Sequence, residues 1–310
     1  MGKTAFIFPG QGSQYVGMGE ELAKEFKIVE DTFKEANEAL DIDVRKLAFK
    51  GPKEDLKETE NTQPAILTLS TAVYRLLLDK GIEADVVAGH SLGEYSALVG
   101  AGVLDFVDGV KLVRKRGQLM AAADPSGKGT MAAIIGLSAE EVKEVCQEAS
   151  GEGVVEPANF NCPGQIVISG EKKGVEKAVE IAKDKGAKKA ILLSVSGPFH
   201  SSLMEAAAKK LAPQLDKIDF KDAKVSVVTN VDGEFTTDSN RLKEALIEQI
   251  SGSVRWEESI RAMIDDGVDT FIEVGPGRVL KGFMRRIDRK VKAFNVEDLR
   301  SLNKVLKKIK

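Results

Sequence analysis

The stretch DVVAGHSLGEYSALVG, residues 85–100, constrains the chain more than any other. A short β-branched run ends on Gly89, Ser91 follows two residues later, Gly93 two after that, and a helix-like run begins at once. This is G-x-S-x-G in the context that gives the pattern meaning, a strand turning sharply into a helix. A side chain held at so cramped a corner needs small neighbours two positions either side, and glycine at 89 and 93 meets that demand. The helix starting at Leu92 brings its N-terminal amides and the positive end of its dipole close to Ser91. Ser91 is therefore expected to be a nucleophile, with the Leu92 amide donating to the oxyanion formed on attack at a carbonyl. A glycine-rich turn with a capping serine is the plainer alternative.

A serine hydroxyl is weak at neutral pH and needs a base. The chain has two histidines, His90 and His200. His90 is adjacent to Ser91, and across a sharp turn its side chain points away. That leaves His200, in SVSGPFHSSLM, at a strand–loop–helix junction. No Asp or Glu stands out as the third member, and a backbone carbonyl can orient an imidazole instead. FPGQGSQ (8–14) follows the first strand-like run, where hydrolase-like sites draw a second oxyanion donor. Its backbone amides or the Gln11 side chain can serve; a plain tight turn is the other reading. The loop is no dinucleotide fingerprint, because Tyr15 stands where a third glycine would be.

On a helical wheel for 105–123, Leu112, Val113 and Met120 form an apolar arc, with Lys115 opposite and Arg114 nearer the arc's far edge. Arg116 falls inside the arc. A buried guanidinium needs an anionic partner, and its planar fork matches a carboxylate with two parallel hydrogen bonds. That partner is either an internal carboxylate or an acidic acyl group on a substrate.

The surrounding sequence reads as α/β. Strand-like runs at 4–8, 85–89, 224–229 and 269–274 alternate with helical patterns at 63–81, 92–102, 105–123, 201–215, 239–250, 256–266 and 277–288, which argues for a mostly parallel sheet covered by helices. Two shorter helical patterns, EELAKEFK and VEDTFKEANEAL, follow the first strand. In the 63–81 helix, Pro64 is placed in the first turn and Gly81 at the C-terminal cap. After the turn-rich DPSGKG the order becomes strand (130–137), helix (138–149), strands (154–161 and 164–170), helix (173–186) and strand (188–197). Ser138 and Glu141 form a capping box at the first of these helices. That β-α-β-β-α-β order is the split pattern of ferredoxin-like units, so residues 128–197 are expected to form a small unit inserted into a larger one made of 1–127 and 198–310.

Composition excludes several functions. With 45 basic and 48 acidic residues the net charge is −3, too balanced for a nucleic-acid binder. No run of about 18 apolar residues exists, so no membrane partner is expected. The N-terminal apolar run is too short for a signal peptide. Two cysteines without CxxC spacing and two histidines offer no disulfide framework and no metal site, which fits a reducing cytoplasm.

With Ser91, His200, Gln11 and Arg116 in view, the chain resembles the malonyl-CoA:acyl carrier protein transacylases of bacterial fatty-acid synthesis. FPGQGSQ, TQPAI, GHSLGEYSAL, RKRGQLM, NCPGQIVISG, SGPFHSSLM, VRWEESI and EVGPG look like that family's segments, in its order and over essentially the whole length. The resemblance implies an α/β-hydrolase-like core with a ferredoxin-like insertion. It implies Ser91 as the acylated nucleophile, His200 as base, and the Gln11 region with the Leu92 amide as oxyanion hole. Arg116 would bind the malonyl carboxylate, and the Gln249 backbone carbonyl would hold His200. Phe199 resembles the malonyl-selecting form of its motif, and Gln63 and Asn161 match positions near the pocket. The implied partners are malonyl-CoA, a substrate thioester rather than a cofactor, and acyl carrier protein; no cofactor is expected, and a monomer is the working expectation. The carrier is acidic, which makes the basic runs 277–292 and 183–189 candidate docking surfaces, although such runs usually mark solvated faces. On the residues alone a serine thioesterase or esterase, or a non-catalytic acyl-binding subunit, stays open.

Overall fold

The computed structural model describes residues 2–124, 126–195 and 197–309. From the N-terminus, β1 (Lys3–Phe8) leads through α1 (Glu20–Glu25), α2 (Lys27–Ala39), α3 (Val44–Lys50), α4 (Lys53–Lys57) and α5 (Thr59–Asp79). Then come β2 (Val86–Gly89), α6 (Leu92–Gly100) and α7 (Phe106–Ala121). The middle of the chain holds β3 (Gly129–Ile135), α8 (Ala139–Ala149), β4 (Val155–Cys162), β5 (Gln165–Glu171), α9 (Lys172–Asp184) and β6 (Lys189–Leu192). The last third supplies α10 (Glu205–Leu215), β7 (Ser226–Val228), β8 (Phe235–Thr236), α11 (Ser239–Ser251) and α12 (Trp256–Asp265). It ends with β9 (Val268–Val274), α13 (Val279–Ile287), β10 (Lys292–Val296) and α14 (Leu299–Ile309).

The larger sheet runs β10-β9-β1-β2-β7-β8, parallel throughout except for the short antiparallel β7–β8 pair. Its strands are apolar on both faces because helices cover both. Phe6 and Phe8 of β1 pack into a core with α2, α5, α6 and α7, while Ala5 and Ile7 point the other way, towards Trp256, Ile260 and Met284. β1 and β2 lie side by side in register Phe8 with Gly89, so the loops leaving their C-terminal ends emerge together. Ligand sites of open parallel sheets form at such carboxyl ends.

The second sheet is antiparallel, in the order β4-β5-β3-β6. Ala132, Ile134, Ile166 and Ile168 face α8 and α9. The alternate residues Met131 and Val167 belong instead to the main core. α8 and α9 thus cover one face of this sheet, and its other face turns towards the main core. β4 is tied there by Phe160 N–H donating to Val254 O and Val254 N–H to Ala158 O.

Several boundaries differ from expectation. α5 begins at Thr59, so Pro64 lies in its second turn, not its first. Proline there leaves the Glu60 carbonyl without its helical donor, and the Arg114 Nη1 fills the place at 3.0 Å. The strand expected over 188–197 stops at Leu192, because after Leu193 N–H bonds Met131 O the chain leaves the ladder to wall a cavity. The helix expected from 201 begins at Glu205, after a single 3₁₀ turn over Ser202–Met204. The capping box forms as expected at Ser138 and Glu141, and Gly81 takes φ 73° just past α5. The expected DPSGKG turn and final strand also include Pro125 and Ser196, which lie outside the described residues.

Candidate active site

Ser91 caps α6 with φ 51° and ψ −109°, a backbone conformation L-residues avoid. Among the described residues only His200, at φ 59°, shares a positive φ without being glycine. Such positions cost about 1–3 kcal/mol each and persist only where surroundings hold them. The turn around Ser91 is held on every side. Its amide donates to Asn230 Oδ1 at 2.7 Å, and Asn230 Nδ2 donates to Gly89 O at 2.6 Å. Its carbonyl accepts from Glu94 N–H at 3.0 Å and from Gln249 Nε2 at 2.9 Å. Backbone fills the space beside both glycines: a Cβ on Gly89 would lie 1.9 Å from the Gly93 carbonyl, and one on Gly93 would lie 2.0 Å from Phe8 O.

Ser91 Oγ lies 2.7 Å from His200 Nε2. The other ring nitrogen, Nδ1, faces two carbonyls, Gln249 O at 2.8 Å and Gly252 O at 3.2 Å. Carbonyls only accept, so Nδ1 carries the proton and Nε2 is left to receive one from Ser91. Burial, helped by the Arg116 charge, pushes the His200 imidazole down to about 3, so it is neutral across the physiological range. His90 turns away from Ser91: its Nε2 meets Asn161 Oδ1 at 2.8 Å and its ring tilts against Trp256.

Arg116 is 1 % exposed. Its Nη2 donates to Ser91 Oγ at 3.2 Å and to Gln249 Oε1 at 2.9 Å, and its guanidinium carbon lies 5.3 Å from the Tyr95 ring centroid. Its Nε has no hydrogen-bond acceptor among the described residues. Burial lowers its pKa from the ordinary guanidinium value. Of the two partners weighed from sequence, an internal carboxylate does not approach the fork directly; its polar neighbours are a hydroxyl and an amide.

Ser91, His200, Arg116, Gln11, Asn161 and Phe199 all line one cavity of about 240 Å³. The parallel-sheet side supplies Ser91, His200 and Arg116, and the antiparallel side adds Asn159 and Asn161 of β4 together with an apolar wall of Met131, Val167, Leu193 and Val195. Leu280 and Phe283 of α13 close another side. Gln11 Nε2 donates to Thr59 Oγ1 at 3.2 Å. In the Gln11 loop Gly12 N–H is taken by Gln14 Oε1, and in the Ser91 turn Gly93 N–H is taken by His90 O. The Gln11 and Leu92 amides have no acceptor within the described residues. Gln63 does not line the cavity; it is buried behind it, with Nε2 on the sulfur of Met120, which does. Gln249 is likewise set back, reaching the site through its carbonyl and its side chain. Val279, Leu280 and Phe283 of α13 line the cavity and its last turn carries Arg285 and Arg286, whereas the 183–189 run lies on and after the end of α9.

Reasoning from sequence missed Asn230 and Glu94. Asn230 follows β7 with no distinguishing pattern, and its role comes from β7 lying next to β2. Glu94 has no distinguishing pattern either, and it is 1 % exposed, in a helix buried from Leu92 to Leu98. Burial pushes its carboxyl up to about 7, against hydrogen bonds from Gln249 and Asn230 that pull it down.

No group of His, Cys, Asp and Glu suited to a metal ion occurs among the described residues, and no helix among them is long and apolar enough to cross a membrane. Known proteins of this shape are numerous. The family model described as acyl transferase domain matches residues 5–304. The malonyl CoA-acyl carrier protein transacylase of Bacillus subtilis is 51% identical over 311 residues, covering 100% of this chain and 98% of that protein. The crystal structure of an acyl carrier protein S-malonyltransferase from Vibrio cholerae O1 biovar eltor superposes with a TM-score of 0.95 at 48% identity, covering 98% of this chain and 99% of the other. A malonyl-transacylase solved in complex with its type II PKS acyl-carrier protein gives a TM-score of 0.96 at 45% identity, covering 98% and 99%. Matched by these proteins over essentially its whole length, the chain belongs to the acyl transferase family, among the malonyl CoA-acyl carrier protein transacylases.

Proposed function

We propose that the protein moves a malonyl group from malonyl-CoA to the thiol of acyl carrier protein, through an ester on Ser91. The observation that carries this reading is the double claim on one hydroxyl: Ser91 Oγ lies 2.7 Å from a neutral imidazole and 3.2 Å from a buried arginine fork. The first makes it a nucleophile, and the second favours an acyl group that ends in a carboxylate.

Ser91 Oγ attacks the thioester carbonyl as His200 Nε2 takes its proton. The Leu92 amide and an amide of the Gln11 loop receive the oxyanion. Removing one such donor typically costs about 2.7–4 kcal/mol. The tetrahedral intermediate collapses, His200 returns the proton to the departing sulfur, and coenzyme A leaves as its thiol. The carrier thiol then gives its proton to His200, attacks the Ser91 ester and frees the hydroxyl. The Gln249 carbonyl steadies the imidazolium in both halves, Arg116 grips the malonyl carboxylate, and Phe199 and Asn161 shape the space around it. Gln63 acts from behind Met120. The chemistry balances with no cofactor, coenzyme A being part of the substrate.

In the same reading residues 1–127 and 198–310 form an α/β-hydrolase-like core and 128–197 an inserted ferredoxin-like unit, supported by the strand order of the second sheet. The carrier docks over α13, which lines the cavity through Leu280 and Phe283 and carries Arg285 and Arg286 in its last turn. Two buried, unpaired cysteines suit a reducing cytoplasm.

Intact-mass measurement tests the reaction. Malonyl-CoA alone should add one malonyl group to the protein, thiol-bearing carrier should remove it with matching gain on the carrier, and Ser91→Ala should never acquire it. Release of free malonate with no gain on the carrier would make the protein a hydrolase instead.

A further inference from the structure

Glu94 is the third residue of α6, in its first turn, buried, and does not line the cavity. Its two carboxyl oxygens each face a donor: Oε2 accepts from Gln249 Nε2 at 2.5 Å, and Oε1 from Asn230 N–H at 3.4 Å. A carboxamide has almost the same shape either way round, so its partners decide its orientation. Gln249 Nε2 has two protons, and Ser91 O and Glu94 Oε2 accept at 2.9 Å and 2.5 Å. Its oxygen is thereby left for Arg116 Nη2, at 2.9 Å. Turned over, the amide would set its N–H groups against the guanidinium, donor against donor, and would push the fork off Ser91. Asn230 Oδ1 also faces Nε2, but at 3.4 Å and already accepting from Ser91 N–H, so Glu94 supplies the short second acceptor that locks the arrangement.

The structure assigns Glu94 a positioning role in acyl selectivity: it fixes Gln249 with its oxygen on Arg116, and so holds the arginine fork beside Ser91, ready for a substrate carboxylate. This rests on the reading of Arg116 as the carboxylate receptor. The prediction concerns a ratio, that of kcat/KM for malonyl-CoA to kcat/KM for acetyl-CoA. Glu94→Met removes the acceptor at similar volume and should lower the ratio roughly tenfold, chiefly by losing malonyl transfer. Glu94→Gln keeps one carbonyl oxygen and should hold the ratio within about threefold. In a Gln249→Met background, Glu94→Met should lower the ratio no further, since the group it acts through is gone. Glu94→Ala stands in should Glu94→Met fail to fold, as judged by circular dichroism. A folded acceptor-less variant with an unmoved ratio, equal loss of both acyl groups, or a further drop in the Gln249→Met background would each overturn the inference. Arg116→Ala separates the two levels. If it loses malonyl transfer selectively while the Glu94 variants do not, this inference alone fails. If it loses both acyl groups equally, the carboxylate reading fails and takes the inference with it.

Discussion

His200 takes its tautomer from a carbonyl and its low pKa from burial, and both shape what the proposed base can do. An imidazole pushed down to about 3 is unprotonated at any ordinary pH. The pH profile of kcat/KM reports the free enzyme, so it should stay flat as pH falls through about 6.5, where an unperturbed histidine titrates. An acid limb centred near 6.5 would contradict this. Stability carries the same sign. The unfolded chain binds a proton near about 6.5 that the folded chain refuses until near 3, so folding weakens as pH drops through that window. Under the proposed reading, Arg116→Ala removes charge-assisted hydrogen bonds to the substrate carboxylate, worth about 1.5–3 kcal/mol. Malonyl transfer should fall roughly 10- to 100-fold, with acetyl transfer much less affected, as steady-state rates with the two thioesters would show. At this scale legibility followed rarity. Ser91 was readable because glycines crowd it, His200 because histidine is scarce, and Arg116 because it interrupts an apolar arc. Gln249 was reached through resemblance alone, since its nearness to His200 spans 49 positions. Glu94 and Asn230 were invisible because what distinguishes them is burial among each other.

The strand–turn–helix of β2 and α6 is where local sequence speaks most directly about three dimensions. Gly93 is needed because α6 crosses β1 with a backbone oxygen of Phe8 where its side chain would be. Gly93→Ala must therefore part β1 from α6, an overpacking cost of about 3 kcal/mol or more. The expected result is a clear fall in thermal midpoint and loss of Ser91 acylation together. A stable Gly93→Ala protein would show that the contact relaxes more easily than backbone against backbone permits. Long periodic helices such as α5 and α7 were legible within a few residues. The start of α5 was not, because Pro64 looks like a first-turn residue until Arg114, 50 positions later, satisfies the carbonyl it orphans. Short elements escaped: α3, α4 and β10 span 7, 5 and 5 residues, too few for a period to declare itself.

Across the whole molecule the two sheets share one cavity, and Ser91 and His200 open onto it. Under the proposed mechanism the donor thiol and the acceptor thiol must use that space in turn. Initial rates at varied malonyl-CoA and carrier should give parallel double-reciprocal lines, and intersecting lines would mean both bind together. The alternation of β and α patterns foretold a parallel sheet with a second group of strands after it. How that second sheet faces the first could not be read, because it depends on β4 pairing with residues around Val254, nearly a hundred positions away.

The face of the antiparallel sheet that borders the cavity has an outcome of its own. Met131 and Val167 border the reacting groups while belonging to strands that contribute nothing to the serine turn. Reshaping that wall alters which acyl tails fit without disturbing the bonds that ready the hydroxyl. The apolar part of the pocket is thus set by strands apart from the serine turn, whereas the Arg116 fork hangs on the same hydrogen bonds as Ser91 itself.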